Sequence, residues 1–579
     1  MDHPKHLLDI LERNFKNTPH MTAFHFFHAG KNQWLEITWA QYWTKVHTIA
    51  KFLRTKSIQQ GDCVAILSTN RPEWIICDLA IQALGAVSIP IFPNAHGQDI
   101  SYILRHSESR ALFIDIETRM TSVSLPESLK PSCVFCFEHD EFKNLLHSSE
   151  VTQASTASIS PQDLATIVYT SGTTGVPKGV MHSHSNLIAA AHAIKNAVNE
   201  GKSEQPDLFL SFLPLSHVAE RALVEIGSLA TGSPVVFARK VETFIEDAIM
   251  WKPTILLCVP RLWEKVYERI NNNLKSSSVA RRSVFKLALR LGQRRIKGSR
   301  ILKKRDSLIT SKVADRLVGE ALKRKLGFER IRLFLTGSAP TRPELIKFFG
   351  SLGIFIREVY GMTENLCLGN YTGPDEIRLK SSGKAFPQNE VRIASDGEIL
   401  FRAPWNFKGY YKDPRATAET LSAEGWLATG DLGRVDQDGY LFITGRKKEL
   451  LKTSNGKYVA PVPLEDDIKA QELVEDAIVI GEGHKYCVAL VSLSAPKQGL
   501  TDPEACAQME SHLKQLLETI NKSRARHEQV KKIGILKKGF TIESGLLTPS
   551  MKLKRREITT RYDSLIKKLY ESDHSILWE

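Results

Sequence analysis

Apolar positions along this 579-residue chain change their period several times, and each change marks an element. "ITWAQYWTKVHTIAKFLRTK", from Ile37, and "PEWIICDLAIQALGA", from Pro72, carry helical spacing. "DCVAILS", from Asp62, and "VSIPIF", from Val87, are short continuous runs that read as buried strands. This alternation predicts a mostly parallel sheet with helices on its faces. The pattern returns in "DLFLSFLP", "SPVVFA", "TILLCVP" and "RIRLFLTGS". At the start, Leu7, Leu8, Ile10 and Leu11 among charges predict a small amphipathic helix. The polar run "SSEVTQASTASISPQD", 148–163, reads as a loop into the strand "LATIVYT". From about 391 the texture changes. "VRIASDGEILFRA" and "GRVDQDGYLFITGR" place D-G turns between apolar runs, the mark of antiparallel hairpins. After Arg446 short strands ("DAIVIGE", "CVALVSL") mix with a long helical pattern from Pro503. The expected fold class is α/β, with two domains. Residues 1–446 would form a large domain of mostly parallel sheets flanked by helices, plus a β-rich subdomain. Residues 447–579 would form a small α+β domain.

Composition narrows the class. Hydrophobic residues make up 42% and charged residues 25%, as in ordinary globular proteins. The longest apolar region, "WIICDLAIQALGAVSIPIF", is interrupted by Asp78 and Gln82, so no membrane span is expected. Eight cysteines in this length are no disulfide framework, and a reducing cytoplasm fits. Cys133 and Cys136 form a C-x-x-C on a strand-like flank with no second pair, which favours a structural role. The net charge of +14 is concentrated. Between Lys265 and Arg330 there are about 20 Lys/Arg against about 5 Asp/Glu, so the remainder is close to neutral. Nucleic-acid binding finds no aromatic platform and no reader motif.

The candidate chemistry begins at "YTSGTTGVPKG", 169–179. It is not a Walker A loop, which requires G-x-x-x-x-G-K-[ST]. The parts still suit phosphate. Thr170, Ser171, Thr173 and Thr174 offer hydroxyls, Gly172 and Gly175 let amides turn inward, and Lys178 adds a cation. The stretch resembles the signature loop of the adenylate-forming enzymes: acyl-CoA synthetases, luciferases and peptide-synthetase adenylation domains. In that family the loop holds the β- and γ-phosphates of ATP. The following "GVMHSHSNL" also fits, and His182 and His184 alternate as on a strand. A metal site there is the less favoured reading.

Further motifs extend the resemblance to residue 556. "LTGSAP" places Gly337, Ser338, Ala339 and Pro340 in a turn of small residues, which in the family lies against adenine. "EVYGMTEN" supplies Tyr360 as a stacking face, then Gly361, Met362, Thr363 and Glu364. By resemblance Thr363 meets phosphate and Glu364 is the Mg²⁺ residue, since Mg²⁺ takes few protein carboxylates beside substrate phosphates. Asp431 resembles the aspartate that accepts the two ribose hydroxyls, and Arg446 the arginine near ribose and phosphate. Lys448 sits at the family's hinge between a large domain and a mobile C-terminal one. Lys452, Gly456 and Lys457 match the face that meets coenzyme A in the second half-reaction. In "LLTPSMKLKRREI" Lys552 takes the place of the catalytic lysine, with Met551 where the family usually has glycine. A solvated basic cluster is the plainer alternative for Lys552.

The resemblance implies a reaction. A carboxylate attacks the α-phosphate of ATP, giving an acyl-adenylate and pyrophosphate, and a thiol then displaces AMP. "SFLPLSHVAER" and "VPRLWEKVYERI" resemble the long-chain fatty acyl-CoA synthetases, and His217, Val218 and Arg221 are candidates for the acyl pocket. Some bacterial members carry a tryptophan gate where this chain has Arg221. The family's short-chain members are compact where this chain inserts about 60 residues. There "RRSVFKLALRLGQRR" puts Val284, Leu287, Ala288 and Leu291 on one face and Arg282, Lys286 and Arg290 on another. Such a helix suits an anionic membrane surface; a hairpin with its apolar stripe packed inward is the alternative. Expected substrates are a fatty acid, ATP with Mg²⁺, and coenzyme A. The rivals are a ligase delivering to a carrier protein and a catalytically silent scaffold. Chain length, unsaturation preference and oligomeric state are not encoded legibly.

Overall fold

The computed structural model describes residues 4–579 except 121–122, 148–157, 171–175, 201–205, 299, 303–312, 375, 471–472, 495–501, 523, 543 and 549–551. Two large sheets dominate the first 440 residues. One has seven strands, in the spatial order Gly409–Tyr410, Lys178–Ser183, Leu164–Thr170, Val87–Ile91, Cys63–Leu67, Ala111–Ile114 and Val134–Cys136. The other has nine, running from Lys384–Ala385 through Ile356–Tyr360, Leu333–Thr336 and Ile255–Leu257 to Gln33–Thr38. The inner strands of both are parallel; both rims of the nine-stranded sheet and one rim of the seven-stranded sheet are antiparallel, while the latter's other edge, Val134–Cys136, is parallel. The parallel strands read as unbroken apolar runs because both faces are covered. One apolar cluster joins the two sheets, with Trp39, Trp74 and Trp405 fully buried in it.

Local chemistry sets the helices. Thr38 caps helix Trp39–Thr55 with Gln41 reciprocating, and Ser183 with Asn186 does the same for His184–Asn199. His184 therefore opens a helix, and the strand carrying His182 stops at Ser183. This corrects the alternating-strand reading: the capping box ends the strand one residue earlier. Strands Thr22–His28 and Gln33–Thr38, without a clean alternation, add an edge hairpin that the periodicity did not announce.

A third, four-stranded antiparallel sheet holds both D-G hairpins: Glu390–Ile393, Glu398–Arg402, Leu427–Val435 and Leu441–Arg446. The turn Lys447–Glu449 follows. Beyond it a fourth sheet orders Val474–Ile480, Cys487–Leu493, Val530–Leu536 and Ile576–Trp578. Helix Pro503–Asn521 covers one face and helices Arg555–Arg561 and Asp563–Glu571 the other. Cys133 and Cys136 are buried and unpaired at a short strand's start and end.

In the basic insertion, helix Val279–Gly292 buries Phe285, Ala288 and Gly292. The expected apolar face is therefore split. Ala288 packs inward, whereas Val284 and Leu287 are 43% and 50% exposed. No helix among the described residues is long and apolar enough to cross a membrane.

Candidate active site

The ends of the hydroxyl-rich stretch at 169–179 lie on two paired strands. Strand Leu164–Thr170 runs antiparallel to Lys178–Ser183, and Thr170 faces Lys178 across the pair. A Walker loop joins a strand to a helix; this one joins two strands. Ser171, Gly172, Thr173, Thr174 and Gly175 lie outside the described residues. At the near end, the Lys178 ammonium lies 4.8 Å from the Tyr410 ring centroid and 3.9 Å from Asp413 Oδ2.

The second wall comes from the nine-stranded sheet. Strand Leu333–Thr336 ends in the turn Gly337–Pro340, beside strand Ile356–Tyr360. A Cβ on Gly337 would stand 2.8 Å from Val359 Cγ2 and 3.0 Å from its carbonyl oxygen, so only glycine lets the turn lie this close. Ser338 holds φ at +70°, which turns the chain sharply after it. Glu358, paired in register with Thr336, accepts the Thr341 amide at 3.3 Å, and burial pushes its carboxyl up to about 8.

Tyr360, Gly361, Met362, Thr363 and Glu364 follow directly. The Tyr360 hydroxyl donates to Asp431 Oδ2 at 2.6 Å, and Arg446 Nε lies 3.2 Å from Asp431 Oδ1. Asp431 and Arg446 are opposite partners in the hairpin of the third sheet, so register alone brings them together. Burial raises the Asp431 pKa, with Arg446 opposing. Each of its oxygens has one protein partner here and can still accept a ribose hydroxyl.

Thr363 and Glu364 occupy a single 3₁₀ turn that is fastened twice. His182 Nε2 bonds the Thr363 carbonyl at 2.9 Å, and the Tyr410 hydroxyl donates to Glu364 Oε1 at 2.6 Å. Burial lowers the His182 pKa to about 4, so it is neutral. Burial raises that of Glu364, which Tyr410 partly offsets. One desolvated carboxylate, held by the Tyr410 hydroxyl, fits Mg²⁺ that takes its other oxygens from phosphate and water. Among the described residues no group of three or more His, Cys, Asp or Glu forms a protein cage for a metal.

Lys552 reaches this cleft from the C-terminal body. Its pKa is lowered by desolvation and by Arg446, against the pull of Cys367, Asp431 and Glu364. Lys552 is nonetheless exposed to solvent, so the desolvation comes from the density of groups around the cleft and not from enclosure. The Lys552 amide donates to Thr548 Oγ1 at 3.0 Å and its carbonyl accepts the Thr548 amide at 2.8 Å, which closes the loop that presents it. Met551 is outside the described residues. His217 feels the same ammonium: burial, then Lys552, lowers its pKa to about 4. His217 also caps the short helix Val218–Glu220 through Nδ1, and Val218 is buried.

Arg221 is buried in a charge cluster. Its guanidinium bonds both Asp78 oxygens at 2.7 Å, Glu225 at 3.0 Å and Thr166 at 2.7 Å, and is 4% exposed. It opens a π-helical turn, Arg221–Ile226, behind His217. Two buried carboxylates, Asp78 and Glu225, thus hold this acyl-pocket candidate inside the protein.

Lys452, Gly456 and Lys457 stand elsewhere. They lie on the hairpin Leu451–Lys452 and Tyr458–Val459, where all three are exposed and which is anchored to Glu482, Gly483 and His484 of the same body. Gly456 has φ +71° and open space around it. Lys448 is exposed in the turn between the two bodies, beside Lys447, which pairs with Asp396 and Glu398. The sequence reading missed Tyr410 and Glu358. Tyr410 meets Glu364 across 46 residues, and no local spacing announces that contact.

Comparison with known proteins identifies relatives along most of the chain. Residues 11–411 match the AMP-binding enzyme family, and 448–574 match the AMP-binding enzyme C-terminal domain. The chain is 32% identical to the long-chain-fatty-acid–CoA ligase FadD15 of Mycobacterium tuberculosis, over 93% of each chain. It is 30% identical to the peroxisomal long chain acyl-CoA synthetase 7 of Arabidopsis thaliana, over 93% of this chain and 82% of that one. Among solved structures, the O-succinylbenzoate coenzyme A synthetase of Bacillus subtilis, in complex with ATP and magnesium ion, shares the fold at TM-score 0.70 and 22% identity. That match covers 95% of this chain and 99% of that one. Taken with the cleft just described, these matches establish that the chain belongs to the AMP-binding enzyme family.

Proposed function

We propose that this protein is a long-chain fatty acid–CoA ligase, an AMP-forming acid–thiol ligase. The reading rests on Lys552 of the C-terminal body sharing one cleft with Glu364, Asp431 and Arg446, in a chain whose relatives carry that activity in their names. A fatty acid carboxylate oxygen attacks the α-phosphorus of ATP, and pyrophosphate leaves. Mg²⁺ beside Glu364 would neutralise the departing phosphates. Lys178 and the 170–175 hydroxyls and amides draw the same charge, while Thr363 meets phosphate. Asp431 and Arg446 orient the ribose, and Tyr360 with the 337–340 turn flanks adenine. Lys552 faces the reacting carboxylate and α-phosphate oxygens, where charge develops. A coenzyme A thiol then bonds to the acyl carbon, losing its proton, as the carbon–oxygen bond to AMP breaks. Lys452 and the Gly456–Lys457 turn serve this second step once the C-terminal body, residues 447–579, has turned about Lys448. His217 and Val218 border the acyl chain.

The basic insertion gives a place for membrane contact. Val279, Val284, Leu287 and Leu317 are exposed there among Arg281, Arg282, Lys286 and Arg290. This favours peripheral attachment to anionic lipid. Sedimentation with phosphatidylserine vesicles tests it, with Val284→Asp/Leu287→Asp expected to stay in the supernatant.

The decisive experiment measures thioester formation with fatty acids from short to very long chain. Long-chain acids should be preferred and free acyl-CoA released. Preference for acetate or aromatic acids overturns the assignment, and acyl-adenylate without free acyl-CoA points to a carrier-protein acceptor.

A further inference from the structure

The turn beside the nucleotide site runs without a break into the contact between the two bodies. Thr341 and Arg342 follow Pro340 directly. The Thr341 amide is tied to Glu358 on the neighbouring strand, and the Arg342 carbonyl accepts the Leu345 amide at 3.0 Å, starting helix Pro343–Ser351. The backbone of Arg342 is thus fixed on both sides, while its side chain leaves the N-terminal body. Its Nη1 lies 3.3 Å from the carbonyl oxygens of both Lys469 and Ala470. These carbonyls end helix Pro461–Lys469 of the C-terminal body. They lack intrahelical partners and carry the helix's negative pole, so a guanidinium is their best complement. Glu264, 3.0 Å away on helix Pro260–Lys275, holds the guanidinium from its own side. A second pair, Arg261 with Glu475, bridges the same seam one helical turn along.

We propose that Arg342 is a positioning residue that latches the C-terminal body in the orientation placing Lys552 in the cleft. The inference rests on the two-step reaction proposed above. Both contacts exist in the arrangement where Lys552 is inside and the Lys452–Lys457 hairpin is outside. Two surfaces of one body cannot fill one cleft together, so turning the body to admit the hairpin must break them. Arg342 then supports adenylation and not thiol transfer. Because it adjoins the adenine-side turn, nucleotide that orders residues 337–340 also stiffens the latch.

The test splits the half-reactions. ATP–pyrophosphate exchange with palmitate reports the first, and transfer from synthetic palmitoyl-adenylate to coenzyme A reports the second. Loss of two charge-assisted bonds at a partly exposed seam should lower exchange about tenfold in Arg342→Ala. Transfer should stay equal or rise. Glu475→Gln, on the opposite body, should show the same split more weakly. Energy transfer between one dye on each body gives a readout free of activity: a single distance in the wild type, broadened in Arg342→Ala. Equal losses in both half-reactions, or an unbroadened distance, overturn the latch. A wild type that performs no exchange with any fatty acid, while Arg342→Ala still broadens the distance, overturns the reaction and leaves the latch standing.

Discussion

Lys552 and Lys452 belong to the same C-terminal body and live in opposite surroundings. Lys552 is exposed too, but it stands near Arg446, Asp431 and Glu364, and desolvation by the surrounding groups and Arg446 depress its pKa. Lys452 sits on an open hairpin, whose Gly456 has room for an added Cβ, with nothing within 4 Å of it. One lysine is already among the groups it would act with; the other awaits a surface. In the two-step reaction proposed above, this arrangement would serve the first step, and the second would require the body to turn.

The sharpest way to break this contrast is Lys552→Ala. Losing a preorganised cation at the developing charge should cut ATP–pyrophosphate exchange roughly 100-fold or more, with melting behaviour unchanged. Exchange within a few-fold of wild type would mean that its place in the cleft is not catalytic.

Next comes the buried charge cluster around Arg221. Arg221→Ala leaves Asp78 and Glu225 facing each other without their cation, and should cost about 3–5 kcal/mol in urea unfolding. A small loss would show that water or proton uptake compensates. The comparison then turns to the open hairpin. Gly456→Val forces a β-branched residue to φ +71°, and should lower thiol transfer about tenfold through about 1–2 kcal/mol of local strain while leaving exchange intact. Parallel loss of exchange would place the hairpin in the first step.

The smallest effect is a pH slope. Glu358 holds its proton up to about 8 when folded. Between its unfolded pKa and that value the native state binds more protons than the unfolded one, so stability falls as pH rises through the window. Glu358→Gln should flatten that part of the stability–pH curve. An unchanged slope would show the carboxylate to be solvated.

Sequence pattern announced the parallel strands, the D-G hairpins and the C-terminal sheet because each carries its period locally. It missed strand Gln33–Thr38, whose residues lack clean alternation, and it misplaced His184 by one element. Motif resemblance named Glu364, Asp431, Arg446 and Lys552 as one group, and the structure gathers them. Periodicity could not show which face of helix Val279–Gly292 is covered, since Val284 and Ala288 share a stripe but part company in packing. Nor could it show that Arg221 is held inward, because Asp78 lies 143 residues away. Contacts that depend on long-range register or buried charge leave no local trace.

The double fastening of the Thr363–Glu364 turn bears on how related chains should be judged. His182 and Tyr410 sit on adjacent strands of one sheet and grip a turn leaving the other. A descendant that had abandoned chemistry would still need both to keep its two halves aligned, so finding them vouches for architecture alone. Lys552 is tied only to its own loop by the bonds shown, and could be lost without disturbing the frame. Its presence or absence, rather than that of the fastenings, is the marker that separates a working ligase from an inherited shell.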